Sequence, residues 1–118
     1  MAEWNTGEIT TNGVRLHFMR ADNGKPPMLL AHGLTDAGGC WLPVAEQLRA
    51  HYDVVMYDAR GHGRSEKPAS GYTFDTLAAD MVGLIGALGL AQPIVIGHSM
   101  GAATAALAAA RSPALFRA

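Results

Sequence analysis

Pro93-Ile94-Val95-Ile96-Gly97-His98-Ser99-Met100-Gly101-Ala102-Ala103 is the stretch on which the reading of this chain turns. It joins two elements of opposite character. Pro93 to Ile96 is a short β-branched run bounded by proline and glycine, the pattern of a fully buried strand. From Gly101 to Arg111 the chain is dominated by alanine, the strongest helix former, and Ser112-Pro113 ends the run. Between them Gly97-x-Ser99-x-Gly101 must turn sharply, with glycine at the two positions where backbone presses on backbone. The serine at the apex is expected to hold a strained conformation with its hydroxyl above the sheet. The pentapeptide alone is a weak signal, since an ordinary glycine-rich corner with a surface serine has the same spelling. The strand before it and the helix after it favour a nucleophile elbow.

Composition narrows the setting. The 118 residues are 49% hydrophobic and 16% charged with a net charge of -1, the profile of one small globular domain. Near-neutral charge without a basic run argues against a nucleic-acid or anionic-membrane partner. The single cysteine, Cys40, excludes an internal disulfide framework, fits a reducing compartment and reads as a small buried filler. Met1 to Phe18 has no apolar signal core, and Met81 to Ala91 is too short to span a bilayer, so the expected location is cytoplasmic. No metal or cofactor is expected, because the histidines and acids lack ligand spacing and no phosphate-cradling glycine pattern occurs.

Upstream of the elbow, the chain reads as strands first and then strand and helix in alternation. Glu8 to Thr11 and Val14 to Met19 flank Asn12-Gly13, a two-residue hairpin turn. Met28 to Ala31 is a third strand and Tyr52 to Tyr57 a fourth. Trp41, Val44, Ala45 and Leu48 recur at helical spacing through about Ala50. Phe74, Leu77, Ala78, Met81, Ile85 and Leu88 form an apolar stripe over Thr73 to Leu88, closed by Gly89. The economical fold is α/β: a mostly parallel sheet of about five strands with three helices, led in by an antiparallel hairpin.

Two further segments fall at the carboxyl ends of strands, where such sheets place their chemistry. Attack on a carbonyl needs two N–H donors for the developing oxyanion. Met100 begins the helix after Ser99 and offers one. Ala31-His32-Gly33-Leu34-Thr35-Asp36 follows the third strand, and the Leu34 N–H is the natural second donor. Asp58-Ala59-Arg60-Gly61-His62-Gly63-Arg64-Ser65 lacks phosphate-loop spacing, so Asp58 and Arg60 are expected to pin the loop after the fourth strand.

Taken together and in this order, His32-Gly33, Asp58-x-Arg60-Gly61-x-Gly63-x-Ser65 and Gly97-x-Ser99-x-Gly101 resemble the α/β-hydrolase superfamily. The hairpin, Trp41 and the Tyr72-Thr73-x-Asp75 segment also look like it. The resemblance implies a Ser99 nucleophile and an oxyanion hole from Leu34 and Met100. In supporting roles it implies His32, Gly33, Gly97, His98, Gly101, Asp58 and Arg60. Serine at the elbow looks like the esterase, lactonase, perhydrolase and carbon–carbon hydrolase branches, where aspartate would point to a dehalogenase or epoxide hydrolase. A small-molecule acyl substrate is implied, with Leu34, Met100, Cys40 and Trp41 as apolar pocket candidates.

In that family the acid, the catalytic histidine and a helical cap come later in the chain, so residues 1–118 read as the N-terminal half of the domain. Of the five histidines, His98 diverges from Ser99, while His17 and His51 are expected far from the carboxyl edge. His32 and His62 lie on that edge and are the two able to approach the serine. An early ending leaves the strand at Ile94 to Ile96 as an open apolar edge and strips partners from Met81, Ile85, Leu88 and the alanine-rich helix. That predicts poor solubility or self-association. Two functions stay open: a serine hydrolase of carboxylic esters or related acyl compounds, and a catalytically inactive fragment or interaction module with the same fold.

Overall fold

Asn12 and Gly13 both hold positive φ, 50° and 74°, the requirement of the two-residue turn that matches strand twist. They join β1 (Asn5–Thr11) to β2 (Val14–Arg20) in antiparallel register, Thr11 opposite Val14. A computed structural model describes residues 3–118; Met1 and Ala2, where the leader reading and the domain assignment begin, lie outside the described residues. β3 (Pro27–Ala31), β4 (Asp53–Tyr57) and β5 (Ile94–Gly97) complete one five-stranded sheet of order β1-β2-β4-β3-β5. β4, β3 and β5 are parallel, and β2 adds to β4 antiparallel, so the sheet is mixed.

The period-two alternation of the central strands sorts their side chains onto two faces. Leu29, Ala31, Val55 and Tyr57 join Val14, Leu16, Met81, Leu84 and Ile85 in one core beneath α2 (Phe74–Ala87) and α3 (Met100–Arg111). Met28, Leu30, Val54 and Met56 form the other core with Ala45 of α1 (Leu42–Leu48). The chain runs β3–α1–β4 on one side of the sheet, then returns by α2 to β5 on the other side of β3. The sheet's order therefore reverses at β3, and the loops leaving β3, β4 and β5 meet at one edge, the place where open α/β sheets bind ligands.

Three expectations change. α1 is shorter than the Trp41–Ala50 spacing suggested, because Gly38–Trp41 forms a separate 3-10 turn and Pro43 sits in the first helical turn. β5 is not fully buried: it lies at the sheet's edge, with Ile96 38% exposed. Its open side is partly used, since the Arg117 N–H donates to Pro93 and the Val95 N–H to Ala118. Met81 and Ile85 keep their partners, being wholly buried between α2 and the sheet. Thr73 caps α2 by accepting from the Thr76 N–H at 3.1 Å, and Gly89 follows its end with φ 64°.

One buried ion pair ties the layers together. The Arg60 guanidinium donates through Nε and Nη2 to the two Asp80 carboxylate oxygens at 2.9 and 3.0 Å. The hairpin turn joins it, with Asn12 Nδ2 donating to Asp80 and the Asn12 carbonyl accepting from Arg60. Removing one partner strands the other charge in the interior. Arg60→Met is therefore expected to lower the free energy of urea unfolding by about 3–5 kcal/mol, with the Arg60→Met, Asp80→Leu pair losing less than either single change. A cost for Arg60→Met below ~1 kcal/mol would mark the pair as energetically no better than a surface one.

Candidate active site

Ser99 stands at the junction of β5 and α3 with φ 54° and ψ -113°, a region costly for any residue with a Cβ, of the order of 1–3 kcal/mol. The strain is imposed by close packing on both sides. A Cβ on Gly97 would lie 2.5 Å from the Gly101 carbonyl carbon, and one on Gly101 would strike the Ala31 and His32 carbonyl groups. The His98 N–H donates to Ala31 at 3.0 Å, fastening the elbow to the end of β3. Ser99 is exposed, and its hydroxyl makes no hydrogen bond among the described residues. The elbow geometry expected from the sequence is present.

The loop after β3 is held by its own histidine. Ala59 donates its N–H to His32 Nε2 at 2.9 Å, which makes Nε2 the unprotonated nitrogen and leaves the proton on Nδ1. Nδ1 then donates to the Gly33 carbonyl at 2.7 Å, and the Asp36 N–H donates to the same oxygen at 3.1 Å. Peptide bonds are trans throughout the described residues, so the N–H of the Gly33–Leu34 peptide faces away from these donors. That N–H, like the Met100 N–H at the start of α3, has no partner among the described residues. Both residues border the same cleft as Ser99.

With both ring nitrogens engaged and the ring buried, His32 is a structural imidazole and is not free to take a proton from Ser99. Burial lowers its pKa from the ordinary 6.5, against an opposing contribution from the Gly33 carbonyl and a further lowering from His62. His98 projects outward, its Nδ1 4.0 Å from Asp36. His62 has its Nδ1 2.9 Å from the Arg60 carbonyl and its Nε2 2.7 Å from that of Leu34. His51 is exposed at the end of α1.

Asp58 and Arg60 pin the loop after β4, though not by pairing with each other. Asp58 accepts from the N–H groups of Gly38 (2.7 Å) and Arg64 (3.0 Å), while Arg60 reaches back to Asp80. His17 departs from expectation. Because β2 runs antiparallel to β4, it arrives at the carboxyl edge, with Nδ1 3.2 Å from Asp58. Two strands, β4 and β3, still separate it from β5.

The cleft above Ser99 measures about 470 Å³ and is walled by Leu34, Tyr72, Phe74, Leu77 and Met100. Leu34 and Met100 were expected there; Cys40 and Trp41 were too, but lie elsewhere. Trp41 packs against the α1-side core. Cys40 is exposed rather than buried, because the 3-10 turn lifts it from the core. Desolvation and then the Asp36 charge push its thiol above its ordinary pKa, the reverse of an activated thiolate. Tyr72 was legible only as part of the entry to α2, and Phe74 as the first residue of its apolar stripe, whereas Phe74 is half exposed on the cleft wall. The sequence carries no signal that the loop before α2 folds over the elbow. Among the described residues no group of three or more His, Cys, Asp or Glu side chains is placed to hold a metal ion, and no helix is long and apolar enough to cross a membrane.

Known proteins share this arrangement. The alpha/beta hydrolase fold family matches residues 26–118, and the chain belongs to that family. A 2-(acetamidomethylene)succinate hydrolase of Mesorhizobium japonicum is 37% identical over 111 residues, covering 94% of this chain and 38% of that protein. An N-formylmaleamate deformylase of Pseudomonas putida is 38% identical over 113 residues, covering 94% of this chain and 42% of that protein. The crystal structure of an epoxide hydrolase from Vigna radiata superposes with a TM-score of 0.93 at 28% identity, over 98% of this chain and 38% of that one. The chain thus spans about two fifths of the length of these relatives.

The His32 environment sets a pH dependence. A histidine whose folded pKa is lowered stabilises the fold above its unfolded value and loses that contribution as pH falls below it. The urea midpoint is expected to drop between pH 7 and pH 5. His32→Gln, which keeps an acceptor but cannot charge, is expected to be less stable at pH 7 and to show a flatter pH profile. Equal slopes for the two proteins would contradict a neutral, buried His32.

Proposed function

We propose that this chain carries the nucleophile and oxyanion site of a serine hydrolase acting on a carboxylic ester or a related acyl compound. The observation that carries the reading is that Ser99, held at positive φ, borders one cleft with Leu34 and Met100, whose N–H groups have no partner among the described residues. In the reaction the Ser99 oxygen attacks the carbonyl carbon and its proton passes to a base. The two N–H groups stabilise the oxyanion, the leaving group departs with the proton, and water hydrolyses the acyl-serine ester. The α3 N-terminus adds a favourable dipole to the same charge.

Chemistry favours acyl transfer over ring opening of an epoxide. Serine attack on an epoxide carbon forms an ether that water does not resolve, whereas an acyl-serine is an ester that it does. The first two relatives described are named for a succinate derivative and a formyl amide, both acyl compounds. The apolar walls of Leu34, Tyr72 and Phe74 suit the hydrocarbon part of a small acyl substrate. Activating Ser99 calls for a base that the described residues do not place on it, and this favours a second reading, an unreactive piece with the hydrolase fold. A fluorophosphonate probe separates the two. Labelling that disappears in Ser99→Ala supports the hydrolase; no labelling of the folded chain supports the second reading.

The β5 edge is proposed as a self-association surface. Ile96 is exposed there, beyond the residues paired with Arg117 and Ala118. Light scattering after size exclusion is expected to give a dimer or larger species that Ile96→Lys shifts toward monomer. A monomer at all concentrations would contradict this.

A further inference from the structure

His62 belongs to the loop after β4, yet its ring serves the loop after β3. Gly33 to Asp36 form a four-residue turn closed by the Asp36 N–H on the Gly33 carbonyl. The apex, Leu34-Thr35, is exposed, Leu34 by 67%, so no buried side chain holds it by packing. His32 fixes the base of the turn through the Gly33 carbonyl. Among the described residues the apex is tethered at one point, the 2.7 Å contact between His62 Nε2 and the Leu34 carbonyl oxygen.

The tether is itself well anchored. The His62 N–H donates to the Ala59 carbonyl, and the Ser65 N–H donates back to the His62 carbonyl. The preceding Arg60 is locked to Asp80, and the His62 ring lies 5.0 Å from that of His32. Oxyanion donors work when they are held in place before charge develops, and an exposed turn on a single closing bond is poorly held.

We propose that His62 is a positioning residue, whose Nε2–H donates to the Leu34 carbonyl and holds the turn that presents the Leu34 N–H to an oxyanion on Ser99. The inference rests on the reading of Leu34 as an oxyanion donor. It requires a proton on Nε2, the nitrogen with the shorter carbonyl contact, whatever the state of Nδ1.

Long-range 15N spectra of the imidazoles and amide hydrogen exchange on the 118-residue chain test it. The His62 ring is expected to be protonated at Nε2. His62→Phe is expected to speed exchange of the Asp36 amide about tenfold, the effect of one ordinary hydrogen bond, with Leu30 and Val55 unchanged. His62→Gln, whose amide nitrogen reaches toward the same carbonyl, is expected to restore protection. A ring protonated at Nδ1 alone overturns the proposal, as does an Asp36 amide unaffected in His62→Phe. Should that variant unfold, the ring protonation of the unsubstituted chain and the Asp36 amide of His62→Gln decide. Exchange reads the turn and not the serine, so an unreactive Ser99 sinks the hydrolase reading while leaving this result intact.

Discussion

At Gly101 the first turn of α3 presses directly on the carbonyl groups of Ala31 and His32, leaving no room for a side chain. That contact sets the distance between the helix and the end of β3. The chain between β5 and α3 must then turn within a few residues, which drives Ser99 to positive φ. It also sets the Met100 N–H and the loop beginning at His32 on the same cleft. Relaxing the contact would loosen the serine, the Met100 N–H and the lead-in to Leu34 at once, because all of them are referenced to one backbone approach.

Around that contact, rigidity comes from hydrogen bonds more than from packing. The apex of the Leu34 turn is exposed, and imidazoles do the holding: His32 from below through Gly33, and His62 from the side through Leu34. The loop bearing His62 is in turn secured by Asp58 on backbone N–H groups and by the Arg60–Asp80 pair. A path of fixed polar contacts therefore runs from the hairpin turn at Asn12, through α2, to the cleft. The hydrophobic cores on the two faces of the sheet supply stability; this polar path supplies the geometry of the edge.

Much of this was legible from local chemistry. Asn12-Gly13 has a single common turn geometry, the β-branched runs can only be strands, and Gly97-x-Ser99-x-Gly101 between a strand and an alanine-rich helix leaves few alternatives. The roles of Asp58 and Arg60 were legible in kind, as loop anchors, but not their partners. Asp80 and Gly38 are distant in sequence and become neighbours only when the sheet forms. The same reason hid His17 beside Asp58, since strand order places β2 against β4 and no spacing encodes that. Trp41 misled because helical periodicity was extended through a 3-10 turn, which sets it on the α1-side core, and Cys40 because a lone cysteine is usually buried, whereas that turn leaves it exposed. His62 read as a residue of the carboxyl edge able to approach Ser99; only the fold reveals that both its nitrogens face carbonyl groups.

Ser99, Leu34 and Met100 are proposed to form one preorganised anion site. Its most direct measurement is an NMR titration of the 15N-labelled chain with phenylboronic acid, which places a negatively charged tetrahedral boronate on a serine oxygen. The Leu34 and Met100 amide resonances are expected to shift together and saturably, and both responses to vanish in Ser99→Ala. A titration in which those two amides stay still, or move identically in Ser99→Ala, would contradict it.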